Sequence, residues 1–371
     1  MLVAISVLII ILGIVFELTA QISQVWRSST SRIQTFQEAR AGFEAMTRRL
    51  SQANLNTYYD YYATNSSGAY YLRTSANAST FVPCTYDRAS ELHFISGQAT
   101  NLLTGSPTAI STQTHAVFFQ APLGYSVTYQ KLANSLNACG YYLQFDAAAS
   151  SIPNYVTNAP SYKPRYRYRL MEMLQPTESL GVYTGLPTSW FVQNAGSNSR
   201  VLAENVIALV LLPKLPPSQD ASGTNMAPNY NYDSRITLGA TSDTNVTPAP
   251  SSPWPAFPPD SFTTLTNGAS VPTTMTRHNQ LPPLLHVIMV VIDEPSAIRL
   301  QGTSTSVPAG INFAAVSPPL FVNASNMSND LQSVEDVCNA KAGNVTGNTL
   351  RLNYQIFESD IMMRDAQWSN D

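Results

Sequence analysis

Hydrophobic side chains follow two different periods along the start of this chain, and the change between them marks its first boundary. Residues 1–16 carry no charge, and only Ser6 and Gly13 interrupt the apolar side chains. A helix built from them is apolar on every face and has to be covered by lipid or by protein. From Gln21 onward, Ile22, Val25, Trp26, Ile33, Phe36, Phe43, Met46 and Leu50 recur mostly three, four or seven positions apart. Arg27, Arg32, Glu38, Arg40, Glu44 and Arg48 fill the intervals. That spacing puts the apolar residues on one stripe of a helix. No breaker intervenes before Leu50, so one helix is expected, apolar all round at its start and one-sided later.

Three origins compete for the apolar run. Sixteen residues span roughly 24 Å at about 1.5 Å each, against a hydrocarbon core of roughly 30 Å. Extending through Leu18, Thr19 and Ala20 lengthens the run but brings Glu17 to the membrane edge. A cleaved secretory signal needs a basic first region, which is absent, and Leu18-Thr19-Ala20 is a poor exit site. A buried core helix is the second origin. The pattern favours the third, a membrane anchor over residues 1–20 that presents Leu2, Val3, Ile5, Leu8, Ile9, Leu12, Val15 and Phe16 to lipid or to neighbouring helices.

Beyond residue 55 the period becomes two. Segments 91–95, 115–119, 141–145 and 165–173 are short, alternate or are richly apolar, and are bounded by Gly, Pro, Asn and Ser, as antiparallel strands are. In 165–173, Arg165, Arg167 and Arg169 share one face, expected to be solvated, while Tyr166, Tyr168 and Leu170 share the other. Segment 201–212 reads as one long strand stopped by Pro213, and 284–293 as a buried strand. A short amphipathic helix is expected over 328–342 and a last strand over 350–357. Thirteen of the 25 prolines fall between Pro213 and Pro283, which marks an insertion too proline-rich for regular structure, with Trp254 and Phe257 as its candidate pins. The Tyr58-Tyr59-Asp60-Tyr61-Tyr62 cluster suits either half-buried packing, the commoner case, or a recognition surface.

Composition narrows the function classes. Net charge is −3 and only 12% of residues are charged, with no concentrated basic face for nucleic acid. The low charge and the abundant amides and hydroxyls suit an exported β-rich protein. Three cysteines cannot all pair, and Cys84–Cys139 is the expected disulfide if one forms, three buried thiols being the alternative. No nucleophile elbow, zinc-binding His pair, Cys-x-x-Cys or phosphate loop is present. His93, His115, His278 and His286 are dispersed, and strand histidines of this kind are usually satisfied sheet residues. Asp293-Glu294 is a carboxylate pair of the kind calcium uses, although a solvated strand end is the simpler reading.

The stretch MLVAISVLIIILG at 1–13 resembles the N-terminal helix of type IV pilins and pseudopilins. In that family a short basic leader ends in glycine, and the mature chain opens Phe-Thr-Leu-Ile-Glu before such a segment. This chain starts just past the position of that glutamate. The expectation is either a shortened form of a longer processed chain or a lost processing site. The order of pieces adds to the likeness: a long first helix, RYRYRLMEM at 165–173, LAENVIALVLL at 202–212 and PPLLHVIMVVIDE at 282–294 resemble J-type minor pseudopilins, and most closely the Verru_Chthon cassette protein C group. The insertion at 213–283 is not part of the pilin pattern.

The resemblance implies an α+β, pilin-like fold, with a helix that is first transmembrane and then amphipathic packed on an antiparallel sheet domain. Residues 1–20 would form the anchor, 21–55 the amphipathic continuation and 56–371 the β-rich extracytoplasmic domain. The stripe Ile22, Trp26, Ile33, Phe36, Phe43 and Leu50 would be shared between the chain's own sheet and neighbouring helices. The resemblance further implies a non-enzymatic, single-pass inner-membrane subunit of a type II secretion or pilus-like assembly, its C-terminal domain periplasmic or extracellular. Arg27 and Arg32 follow the anchor with nothing basic before it, so the orientation rests on the resemblance and not on the charge rule. Its partners would be the membrane and other pilin-like subunits in a hetero-oligomer, with no cofactor, metal, nucleic acid or small-molecule substrate. The alternative is a membrane-tethered binding or adhesion protein. A secreted hydrolase has no sequence feature in its favour.

Overall fold

A computed structural model describes residues 2–366 except 65–69, 76, 148–151, 161, 184–188, 219, 221, 225, 236–261, 265–269, 273–278 and 342–349. Trp254, Phe257 and His278 fall outside the described residues. In chain order the elements are α1 (Leu2–Leu50), β1 (Tyr58–Thr64), β2 (Tyr70–Leu72), β3 (Thr85–Ala89), β4 (Ile95–Gln98), α2 (Ala99–Leu102), β5 (His115–Pro122) and β6 (Leu136–Asp146). Then come α3 (Asn154–Thr157), β7 (Arg167–Gln175), α4 (Ser189–Val192), β8 (Ser199–Glu204), β9 (Val206–Lys214), β10 (Tyr232–Asp233), β11 (Phe262–Thr264) and β12 (Ser270–Pro272). The chain ends with β13 (Leu284–Ile292), α5 (Glu294–Gln301), α6 (Met327–Cys338) and β14 (Tyr354–Met362).

The described strands form antiparallel sheets. A six-stranded sheet runs β10-β4-β5-β6-β7-β8, and a three-stranded sheet runs β14-β13-β9. A second three-stranded sheet, β2-β1-β3, carries the tyrosine-rich segment, and β11 pairs with β12. Strand β9 also touches β5, β6 and β7, so the sheet it borders packs face-on against the larger one. The large sheet is covered on both faces, Phe119 and Tyr141 on one and Phe118 and Tyr142 on the other, and all four are buried, as are Leu209, Leu211, Val287 and Met289 of the smaller sheet.

No helix among the described residues is long and apolar enough to cross a membrane, and this corrects the transmembrane segment expected at the start of α1. The physical reason is in the sequence: Glu17, Thr19 and Gln21 end the apolar run about one turn short of a bilayer's thickness.

Several expected boundaries also move. The single strand expected over 201–212 is two, broken at Asn205, whose φ of 61° turns the chain from one sheet into the other. Asparagine tolerates this left-handed conformation better than most residues. Pro213 does not stop β9, because β9 is an edge strand and the missing N–H costs no ladder bond when it faces outward. The last strand lies later than expected, over 354–362, because an edge strand accepts the polar Glu358 and Asp360 on its open face. The proline-rich insertion is irregular only in part: Met226, Ala227, Tyr230, Tyr232 and Leu281 are buried, and β10 adds to the large sheet beside β4.

Gly140 illustrates the tightness of the core. It pairs directly with Phe118 across β5 and β6, and a Cβ at Gly140 would lie 2.1 Å from the Phe118 ring. That ring in turn stacks on Phe191 with centroids 4.4 Å apart. Gly140→Ala is therefore expected to destabilise the fold by about 1–3 kcal/mol, read as a lower midpoint in urea denaturation with an unchanged slope.

His115, fully buried, ties three elements together. Its Nδ1 accepts the Leu211 N–H at 2.9 Å and its Nε2 donates to the Phe321 carbonyl at 3.0 Å. Burial pushes this imidazole down to about 4, against the pull of the Phe321 carbonyl in the other direction. An unfolded chain takes the proton near 6.5, so the folded state keeps its full stability above that pH and loses it as pH falls toward 4. The expected contribution to the loss is about 3 kcal/mol, measured as the part of the change between pH 7 and pH 4 in urea denaturation that is missing from His115→Gln.

Candidate functional site

Two features stand out from the core: a long helix of which only one half is covered, and a polar cleft at that helix's docked end. The docked half of α1 is easily traced. Ala39, Phe43, Met46 and Leu50 are buried and Phe36 is half-buried. Phe43 meets Phe357 of β14 with ring centroids 5.8 Å apart. At Gly42 the helix crosses β8 so closely that a Cβ there would lie 3.2 Å from the Ala203 Cβ.

An ion pair flanks the docked half at each end. At one, Arg32 Nε meets Asp293 Oδ2 at 3.2 Å. Asp293 is fully buried, caps α5 by accepting the Ser296 N–H at 3.0 Å, and accepts from Asn353 Nδ2 at 3.0 Å. At the other end, Arg49 pairs with Glu172 on β7.

Before Arg32 the helix leaves its own domain. Every residue from 11 to 26 is exposed, and Ile11, Leu12, Ile14, Val15, Phe16, Leu18, Ile22, Val25 and Trp26 are each at least 52% exposed, Trp26 reaching 73%. Ile33 is exposed as well. The expected stripe is thus divided. Phe36, Phe43 and Leu50 pack against the chain's own sheets, whereas Ile22, Trp26 and Ile33 do not. Leu12, Val15 and Phe16 lie on the exposed part, and Leu2, Val3, Ile5, Leu8 and Ile9 lie in α1 with side chains outside the described residues. Covering nine such side chains is worth on the order of 15 kcal/mol before the costs of association.

Glu172 was not singled out from sequence, although its signal is there. It shares a strand face with Tyr168 and Leu170, and a carboxylate among apolar positions has to find buried partners. Its side chain is fully buried and pairs with Arg49, with Arg200 Nε at 2.7 Å and with the Tyr141 hydroxyl at 2.9 Å, Tyr141 standing directly across the β6–β7 ladder. Burial pushes the carboxyl up, but the hydrogen bonds and charges of Arg49 and Arg200 outweigh it and hold Glu172 below its ordinary value. Above this group a cleft of about 590 Å³ opens, walled by Arg49 and Arg200, by Tyr125 and Asn198, and by Leu174 and Pro176. A second cleft of about 380 Å³ is lined mainly by amides and apolar groups, among them Gln98, Asn101, Asn231 and Phe313.

The other candidates resolve into structural roles. Of the arginine row expected to be solvated, Arg165, which precedes β7, is exposed, but Arg167 and Arg169 on β7 are covered, at 4% and 2% exposed. Arg167 pairs with Glu294 and Asn205, and Arg169 with Asp146 at 2.7 Å and Glu204 at 3.1 Å, so carboxylates from distant segments neutralise the row. Asp293 and Glu294 are consumed by these pairs, and no group of residues suited to a metal occurs among the described residues. His93 donates through Nε2 to Asp233 at 2.8 Å and accepts from Trp190 at 3.2 Å, which pins the insertion to β4. His286 lies 2.8 Å from Asp360.

Cys84 and Cys139 form no disulfide. Cys139 is buried in the centre of the large sheet while Cys84 is exposed. Burial pushes the Cys139 and Cys338 thiols up to about 12, which leaves them unreactive. In the tyrosine cluster only Tyr62 is buried. Tyr58, Tyr59, Tyr61 and Tyr86 are 43–58% exposed, and Tyr59 stacks on Tyr86 at 5.5 Å.

No protein-family model, curated protein or solved structure matches this chain significantly. Glu172→Ala would leave Arg49 with an uncompensated charge under the helix end. A loss of about 3–5 kcal/mol is expected in denaturant unfolding, with the exposed Arg200→Ala costing well under half of that.

Proposed function

We propose that this chain is a non-enzymatic structural subunit of the pilin-like kind, which assembles with other such subunits through the first half of α1. The observation that carries the proposal is the division of one continuous helix into a docked half and an exposed apolar half. An isolated helix with nine large exposed apolar residues along four turns gains nothing from standing alone in water. Equivalent helices of neighbouring subunits, side by side, would bury these residues on several faces at once. The β-rich part would then sit on the outside of the assembly, clear of the packed helices, in an extracytoplasmic setting that its low charge suits. The cleft and the exposed tyrosines favour a second reading, a binding or adhesion module, which is compatible with assembly but does not require it.

Exposed positions make the test clean, because changing them leaves the folded core untouched. A photo-crosslinking amino acid at Ile22 or Trp26 of the full chain in its native cells is expected to capture the first thirty or so residues of another pilin-like subunit, identified by mass spectrometry of the adduct. Ile22→Asp should abolish the adduct formed from Trp26 without shifting the melting temperature. Adducts to unrelated surfaces only, or adducts unaffected by Ile22→Asp, would refute assembly through α1.

A further inference from the structure

We propose that the cleft beside Arg49 and Arg200 binds an acidic saccharide, a sugar unit bearing a carboxylate. This goes beyond assembly through α1 and does not depend on it. Arg49 lies some 23 residues along the helix from Trp26, or about 35 Å, so helix packing at the exposed half leaves the cleft open.

Charge is the first argument. Glu172 lies beneath the cleft, fully buried, with Oε1 taken by Arg49 and Tyr141 and Oε2 taken by Arg200. Arg49 spends its Nη1 on that carboxylate and Arg200 its Nε and Nη2. The remaining N–H groups of both guanidiniums have no protein acceptor among the described residues. Directly over Glu172, two cations stand against one anion, which leaves a local surplus of positive charge held from below. Glu178, two positions past the cleft residue Pro176, borders the cleft through Val127, whose N–H its Oε1 accepts at 2.8 Å together with that of Thr128 at 2.7 Å, so one carboxylate stands at the rim away from the paired arginines. A guanidinium with free fork donors is the best side-chain match for a planar carboxylate.

Shape and neutral chemistry are the second argument. A volume of about 590 Å³ is within the range of ligand sites, roughly 300–1,000 Å³. Beside the arginines stand Tyr125 and Asn198, whose hydroxyl and amide suit sugar hydroxyls, and Leu174 and Pro176, which offer apolar surface to the carbon face of a pyranose. A lining of this mixture matches a ligand that is anionic at one point, hydroxylated around its edge and apolar on its faces.

The probe is trigalacturonic acid, titrated into the full chain by calorimetry, with cellotriose as the neutral counterpart. Saturable binding of trigalacturonic acid and none of cellotriose is expected. Arg200→Ala should weaken it at least about tenfold. Val127→Trp should do the same by filling the cleft, since Val127 lines it and is 73% exposed, leaving the charges in place. The Ile22 crosslink should be unchanged in both variants, which separates this site from the assembly surface. The proposal fails if trigalacturonic acid does not bind, or if neither variant weakens it. It fails equally if inorganic phosphate or a triglutamate peptide binds as tightly, since the cleft would then recognise anions without regard to the sugar.

Discussion

The structure depends on how one long helix is held by half its length. Phe43, Met46 and Leu50 bury themselves against the sheets, and the pairs Arg32–Asp293 and Arg49–Glu172 fix the two ends of the docked segment. Apolar burial supplies the affinity of helix for sheet, and the ion pairs supply its register. Both carboxylates are fully buried and multiply bonded, so sliding the helix by a turn would strand two charges at once. The exposed half is then carried rigidly outward from a clamp that the core itself provides.

The same core depends on a change of sheet at a single residue, Asn205. At Asn205 the chain leaves the edge of the six-stranded sheet and begins an edge of the three-stranded one. Because β9 then crosses β5, β6 and β7, the two sheets share one interior, and His115 fastens them by accepting from β9 while donating to the loop at Phe321. Arg167, with its partners Asn205 and Glu294, ties this same corner to the start of α5, whose cap Asp293 receives Arg32 from the helix. The helix clamp and the sheet corner are therefore one connected polar network along the side of an apolar core.

A division of labour follows for the two candidate surfaces. The exposed part of the helix is apolar, and its large side chains at 11–26 are left outside the core, which is the feature behind the proposed assembly. The cleft is polar and has two arginines held by a buried carboxylate, which is the feature behind the proposed recognition of an anionic sugar. They lie at opposite ends of the described part of α1, and neither needs the other to be occupied.

Periodicity in the sequence determined the long helix with its apolar stripe, the central strands around 115–119, 141–145 and 284–293, and a short helix around 328–342, because each is a property of local spacing, although that helix stops at Cys338. It could not determine which part of the stripe is covered, since Ile33 and Phe36 look alike along the chain and differ in whether the core of the chain reaches them. Nor could spacing alone show that Arg167 and Arg169 are buried, because their neutralising carboxylates lie up to 127 residues away in sequence. The expected bilayer crossing failed on the length of the apolar run, and the Cys84–Cys139 pairing failed because burial, which no cysteine count reveals, separates the two thiols. Tertiary structure alone brought Arg49, Glu172 and Arg200 together, since a charge can be buried only where distant segments deliver its counter-charges to the same place.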